Sequence, residues 1–172
     1  VDPQEIGYVW HATGSGKTIS SFKTAWLASR LPNVDKVVFL VDRVALTNQT
    51  VDEYSAYDPE KAEDGSGGVV TDASNRWVLS RKIRAKGNGI IVTSLQKMAA
   101  LVKDKQDISN ISKKHILFIV DEAHRSTAGD MLKSIKKSFP KSAWVGYTGT
   151  PVFDGHSTTR EIFGDLIHAY TI

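Results

Sequence analysis

The residues best suited to chemistry stand near the start of the chain, where a short apolar run precedes a glycine-rich turn and a helical pattern. Glycines let the backbone curl so that N–H groups point at phosphate oxygens, and a helix N-terminus adds roughly half a positive charge there. A lysine at this point can reach the β- and γ-phosphates, and a neighbouring hydroxyl can ligate Mg²⁺. The pattern therefore predicts a nucleotide-binding phosphate loop of six consecutive residues: Thr13, Gly14, Ser15, Gly16, Lys17 and Thr18.

One position departs from the general pattern G-x-x-x-x-G-K-[ST], because His11 stands where the first glycine is expected. On these residues alone, a glycine- and serine-rich turn ahead of a core helix stays open as an alternative. The remainder of the chain decides between the two interpretations.

A second polar cluster, the run Asp-Glu-Ala-His that begins at Asp121, directly follows the most apolar stretch of the chain. A carboxylate in that place is held rigidly, so Asp121 can bind Mg²⁺ opposite Thr18. Glu122 is placed to orient or deprotonate the water that attacks the γ-phosphate. We therefore assign catalysis to Lys17, Asp121 and Glu122. The competing interpretation is a solvated strand end, and the upstream phosphate loop argues against it.

The chain alternates between apolar strands and helical patterns at least four times. Continuous apolar runs such as 37–41 and 116–120 are typical of strands buried on both faces of a parallel sheet. Right-handed crossovers then give a three-layer α/β fold, with a mostly parallel sheet covered by helices on both faces. The polar clusters follow strands, so we expect them to converge on one edge of that sheet. Residues 103–114 are predicted to be a polar connector.

Residues 75–85 form a basic helix candidate, with four arginines and lysines around Trp77, Leu79 and Ile83. A solvated helix face is the simpler interpretation of this pattern. A phosphate-contacting surface is the alternative, and the sequence leaves both open.

The composition limits the classes of protein and partner that are possible. The 172 residues suit a single domain, and 41% hydrophobic with 24% charged residues is ordinary for a globular protein. No apolar run approaches the roughly 20 residues that a bilayer span needs, so we expect no membrane partner. The absence of cysteine excludes disulfides and thiolate metal sites. A net charge of +3 permits a nucleic-acid partner but does not establish one.

Three runs now resemble motifs I, II and III of superfamily two helicases and translocases, in that family's order: Thr13 to Thr18, Asp121 to His124, and Thr148 to Pro151. More narrowly, the chain resembles the first RecA-like motor domain of the restriction (R) subunit of bacterial type I restriction enzymes. The flanking residues that support this are Trp10-His11, Asp42-Arg43 with Leu46 and Gln49, Thr93 with Gln96-Lys97, Asp121 to Ser126, and Phe163-Gly164 ahead of Tyr170. In that family His11 is expected in place of the first glycine.

The resemblance implies a RecA-like fold, ATP and Mg²⁺ as cofactors, and roles for two further groups of residues. Residues that would couple the nucleotide site to movement are His124, Arg125, Thr148 and Thr150. Residues that would face the DNA are Asp42, Arg43, Thr93, Ser94 and Gln96. For the last three, a helix N-cap followed by a polar first turn is an interpretation that can hold at the same time.

By the same resemblance, residues 1–172 are a single N-terminal RecA-like motor domain from a longer bacterial cytoplasmic protein. Its partners would be double-stranded DNA, methyltransferase and specificity subunits, and a second RecA-like domain of the same chain. The nuclease site, the adenine-reading motif and the arginine finger would lie outside these residues, so we expect weak ATP binding and slow turnover. Two alternatives stay open: another superfamily two DNA or RNA helicase, and a nucleotide-switch module that does not hydrolyse ATP.

Overall fold

In the computed structural model of the chain, every strand runs parallel to its neighbours in one sheet. The structure describes residues 4–12, 14–42, 44–64, 66–73, 75–121, 126–151, 153 and 159–170. Within these ranges the strands are β1 (Glu5–His11), β2 (Lys36–Val41), β3 (Val70–Asp72), β4 (Ile90–Ser94), β5 (Ile116–Asp121), β6 (Ala143–Thr148) and β7 (Leu166–Tyr170). Their order is β3-β4-β2-β5-β6-β1-β7, so only β6 separates β5 from β1.

Helices cover both faces of this sheet. In chain order they are α1 (Lys17–Ser29), α2 (Val44–Tyr57), α3 (Arg76–Arg84), α4 (Leu95–Lys103), α5 (Lys105–Ile111), α6 (Ser126–Ser138) and α7 (Thr159–Phe163). Helices α1 and α2 contribute Phe22 and Tyr54 to the core on one face. Helices α3 to α7 cover the other face, where Leu79 and Leu132 lie in a second core. The predicted three-layer α/β fold is confirmed.

Strand β2 shows why its apolar run favours this architecture. Val37 and Phe39 point into the α1–α2 core, and Val38 and Leu40 point into the core under the other helices. All six residues of the strand are buried, which matches the pattern expected for a central parallel strand. Lys36 at its start is the polar exception: its ammonium donates to the Gly87 carbonyl, and burial lowers its pKa.

The polar stretch 103–114 differs from the prediction, because it contains helix α5. Asp104 accepts hydrogen bonds from the backbone N–H groups of Gln106 and Asp107, at 3.0 and 3.2 Å, and so caps the helix. Its carboxylate satisfies N–H groups that a short polar helix would otherwise leave unpaired. Buried Ile111 then anchors the last turn in the core.

Strand β7 is another element that the sequence pattern does not single out. All five of its residues are exposed, so it has no buried face to give a periodic signal. It is held instead by parallel pairing with β1 and by the bond from the Tyr8 N–H to the Asp165 carbonyl, at 3.1 Å. The preceding helix α7 packs Phe163 onto Gly146, where an added Cβ would lie 2.7 Å from the ring.

Among the described residues, no helix combines the length and the apolar character that a membrane span requires.

Candidate nucleotide site

The predicted phosphate loop lies between the end of β1 and the start of α1. Gly14 and Gly16 have φ of +78° and +88°, which is the left-handed region that favours glycine. The Gly16 carbonyl accepts from the Ser20 N–H at 3.1 Å, so the first turn of α1 closes directly on the loop. Gly16 has no side chain with which to cap α1, and this leaves the positive end of the helix facing the turn. This geometry is typical of an anion-binding helix N-terminus.

Lys17, the first residue of α1, and Asp121, the last residue of β5, lie close together at the carboxyl edge of the sheet. The Lys17 Nζ lies 2.8 Å from the Asp121 Oδ1, and the two side chains are 24% and 30% exposed. They come close because β5 ends beside β6, which pairs with β1 at the phosphate loop. The sequence predicts that these two residues share one site, and the structure brings them together.

A cleft of about 510 Å³ opens at this place. Its walls include residues of the phosphate loop, of the β6–α7 connection and of the C-terminal turn of α2. The lining residues are His11, Ala12, Gly14, Gly16, Lys17, Thr18, Ile19, Tyr57 and Gly149. This volume is within the range of small-molecule sites. Ile19 and Tyr57 were not expected at the site, and no sequence pattern marks them. In the structure both line the cleft and are about half exposed.

His11 is buried beneath the loop. Its Nδ1 lies 2.9 Å from the Ser15 Oγ, and its ring stacks on Tyr170 with centroids 5.5 Å apart. Burial lowers the pKa of His11; the hydrogen bond with Ser15 opposes this, and repulsion from His168 and Lys17 adds to it. The lowered pKa favours the neutral imidazole. The contacts of His11 with Ser15 and Tyr170 join the loop to strand β7.

The third polar cluster follows β6 and borders the same cleft. Thr148 is buried, and its Oγ1 accepts from the Thr150 N–H at 3.1 Å. The Trp10 indole donates to the Gly149 carbonyl at 3.3 Å, which fixes this turn to β1. The polar clusters thus converge on one edge of the sheet, as predicted.

The residues predicted to face DNA divide into two groups. Gln96 is exposed, and its Nε2 donates to the Asp42 carbonyl at 2.8 Å. Thr93 and Ser94 are fully buried, so neither side chain offers an atom for direct contact with DNA. The Ser94 Oγ accepts from the Lys97 N–H at 3.2 Å and caps α4, which confirms the N-cap interpretation. Ser94 therefore fixes the first turn of α4, which contains Gln96.

Several predicted site residues lie outside the described residues, and their roles stay predictions. They are Thr13, Arg43, Glu122, His124 and Arg125.

The residues present fit a magnesium ion. A hydroxyl and a carboxylate, from Thr18 and Asp121, are the oxygen ligands that Mg²⁺ prefers, and they come from two elements at the same cleft. Over the described residues, no group of three His, Cys, Asp or Glu side chains could hold a metal by itself. Such a sparse set suits Mg²⁺, which keeps several waters and usually takes substrate phosphates as further ligands.

A phosphate loop after the first strand, with an acidic residue at the end of a nearby parallel strand, defines a P-loop nucleotide-binding domain. Comparison with known proteins narrows this class. The SWI2/SNF2 ATPase family matches residues 2–172, and the chain belongs to that family.

Similar full-length proteins include restriction endonuclease subunits. The chain is 39% identical over 172 residues to the endonuclease subunit of the type I restriction enzyme SauCOLORF180P of Staphylococcus aureus strain COL, and 37% identical over 173 residues to that of SsaAORF53P of Staphylococcus saprophyticus. Each match covers 96% of this chain and 18% of the relative. The chain thus spans about a fifth of the length of these curated relatives.

Similar solved structures show the same fold. One is a nuclease-deletion mutant of the Type ISP restriction-modification enzyme LlaGI in complex with a DNA substrate mimic (TM-score 0.65, 18% identity, 98% of this chain and 18% of that chain). Another is the Hef helicase domain of Pyrococcus furiosus (TM-score 0.64, 21% identity, 96% of this chain and 34% of that chain).

Proposed function

We propose that this chain is the ATP-binding half of an ATP-dependent double-stranded DNA translocase in a type I restriction endonuclease. The observation that carries the proposal is the ion pair of Lys17 and Asp121 at the phosphate loop. Membership of an ATPase family and the similarity to restriction endonuclease subunits support it.

The site provides the charge that phosphoryl transfer needs. Lys17 binds the β- and γ-phosphates together with the loop amides of Gly14, Ser15 and Gly16, and we assign Thr13 to the same site from its place in the sequence. Thr18 and Asp121 would hold Mg²⁺, which when bound neutralises charge on the phosphates. Glu122, next to Asp121 in the chain, orients the attacking water or accepts its proton.

Movement along DNA needs a link between hydrolysis and the DNA-facing surface. We place this link at the turn of Thr148 and Thr150, which borders the nucleotide cleft through Gly149, and at His124 and Arg125. The DNA backbone would pass Asp42, Arg43 and Gln96 at the carboxyl ends of β2 and β4. Contacts to phosphates and sugars suit translocation that does not depend on sequence.

The remaining partners follow from the same proposal. The full-length protein would act in the bacterial cytoplasm with methyltransferase and specificity subunits. A second RecA-like domain of the same chain would supply the arginine finger and complete the ATP site.

The test is DNA-stimulated ATP hydrolysis by the full-length subunit that contains this domain. We expect double-stranded DNA to stimulate the parent and a Lys23→Ala control, which removes an exposed lysine from the same helix. Lys17→Ala and Glu122→Gln should each lose at least about a hundredfold in rate. A parent that hydrolyses ATP at the same rate with and without DNA would contradict the translocase assignment. Full activity of Lys17→Ala would contradict the site assignment.

A further inference from the structure

Helix α3 presents an unusual surface beside the predicted DNA path. Four of its nine residues are arginine or lysine and none is acidic. Leu79, Ser80 and Ile83 are buried and fix the helix to the core. Trp77 on the opposite side is 61% exposed, although tryptophan loses more by exposure to water than most residues.

Arg76 and Trp77 are arranged as a pair. The Arg76 guanidinium carbon lies 4.6 Å from the centre of the Trp77 ring. The Arg76 Nη1 also lies 3.2 Å from the Asp104 Oδ2, so the guanidinium is held in place from a second side. A guanidinium that stacks on an indole keeps N–H groups at its edge for another acceptor. The Asn75 side chain accepts from the Trp77 and Val78 N–H groups, at 3.0 and 3.1 Å, and fixes this first turn.

This pair is continuous with the surface already assigned to DNA. Of the two residues, Arg76 lines a groove of about 630 Å³ together with Gln96, and Lys103 of α4 and Asp130 of α6 lie on the walls of this groove. At the sheet edge, Gln96 bonds to the Asp42 carbonyl at 2.8 Å. The Lys97 ammonium donates to the Ala73 carbonyl at 3.1 Å, which links α4 to the segment that enters α3.

We propose that Arg76 and Trp77 extend the DNA-tracking surface, with Arg76 on a phosphate and the Trp77 ring against the neighbouring deoxyribose. The proposal rests on the proposed function, because it needs DNA at the carboxyl edge of the sheet. Phosphate and sugar contacts carry no sequence information, as a translocase requires. The phosphate-contacting interpretation of the basic helix then applies to its first turn.

The proposal concerns the first turn of α3 and does not extend to the arginine at the end of the helix. Arg84 lies eight residues beyond Arg76, or about 12 Å further along the helix axis. It is exposed, it has the same charge and it lies on the same helix. If DNA follows the sheet edge, Arg84 lies outside the contact and serves as the matched control.

The test uses the full-length subunit and a fluorescent 30-base-pair duplex, with affinity measured over a series of salt concentrations. We expect Arg76→Ala to reduce the slope of log affinity against log salt by about 0.9, the value for one lost phosphate contact. Trp77→Ala should weaken binding about fivefold with the slope unchanged, and Trp77→Phe should recover most of that loss. Arg84→Ala should match the parent in affinity, in slope and in its rate of ATP hydrolysis without DNA.

Iodide quenching gives a second readout that a purely structural role would not change. DNA should protect a quenchable tryptophan signal in the parent, and that signal should be missing in Trp77→Phe. If the parent binds DNA and both Arg76→Ala and Trp77→Ala match it in affinity and slope, this inference is wrong and the translocase proposal stands. An Arg84→Ala variant that weakens binding as much as Arg76→Ala would overturn the inference as well, because the effect would then be general charge. A parent that neither binds DNA nor responds to it overturns both proposals.

Discussion

His11 stands where the general phosphate-loop pattern has a glycine, and the structure gives this side chain two partners. It bonds to Ser15 within the loop and stacks on Tyr170 of the edge strand β7. A glycine could make neither contact. His11 therefore links the phosphate loop to the edge strand of the sheet. Gly14 and Gly16 keep the left-handed backbone conformation of the loop.

The lowered pKa of His11 has a consequence for stability. Over the interval from the unfolded value of 6.5 down to the folded pKa, the unfolded chain binds the proton and the folded chain does not. The free energy of unfolding therefore falls as pH drops through this interval, and the contribution of His11 is constant below it. Denaturant unfolding of the chain between pH 5 and 8 should show a shallower fall in a His11→Gln variant. Parallel curves for parent and variant would contradict this account.

Among the elements, the buried strands were predictable, whereas strand β7 and helix α5 were not. Continuous apolar runs identify β2 and β5 because both faces of each strand are buried. Strand β7 has no buried face, so its pairing with β1 defines it, and pairing between residues as far apart as Tyr8 and Leu166 leaves no local pattern. Helix α5 is short and polar, and its cap at Asp104 is the one sequence signal that could have revealed it.

The cap of α3 offers a direct test of an element's local stability. Asn75 accepts two backbone hydrogen bonds at the start of the helix. Replacing it by alanine should lower the free energy of unfolding by about 1 kcal/mol, and Asn75→Asp should retain most of it. Chemical denaturation of the chain measures both changes. Equal stability of parent and Asn75→Ala would show that the cap contributes nothing to folding.

The site was predictable only in part, because some of its residues are set by packing between elements and leave no local sequence pattern. Sequence patterns reveal the consecutive loop residues Gly14 to Thr18 and also Asp121 at the end of a buried strand. The structure places them together. Ile19 and Tyr57 reach the cleft through the packing of α1 against α2, which no spacing rule encodes. The burial of Thr93 and Ser94 likewise depends on β4 being an interior strand, next to β2 and β3.

At the scale of the whole molecule, two hydrophobic cores hold the sheet edge in place. On the face covered by α3 to α7, the Phe118 ring stacks on Trp144 with centroids 4.3 Å apart, and both are fully buried. Because the strands that contain these rings end in Asp121 and Thr148, their packing also sets the geometry of the site.

Truncating a side chain of this core should lower the free energy of unfolding more than truncating one at the surface. We expect Phe118→Ala to lower the free energy of unfolding by about 3–5 kcal/mol, because it leaves a cavity next to Trp144. The exposed Trp77→Ala should change it by no more than about 0.5 kcal/mol. Equilibrium denaturation of the two variants beside the parent checks the contrast. Similar losses at both positions would mean that Trp77 has a structural role.

The most direct test of the central claim is a calorimetric titration of this chain with Mg-ATP. We expect the parent and Lys23→Ala to bind. Lys17→Ala should bind at least about tenfold more weakly, because the loop then lacks the ammonium that pairs with phosphate. Glu122→Gln should still bind, since we place Glu122 at the attacking water and not at the phosphates. Binding by Lys17→Ala with the affinity of the parent would contradict the assignment of the phosphate loop.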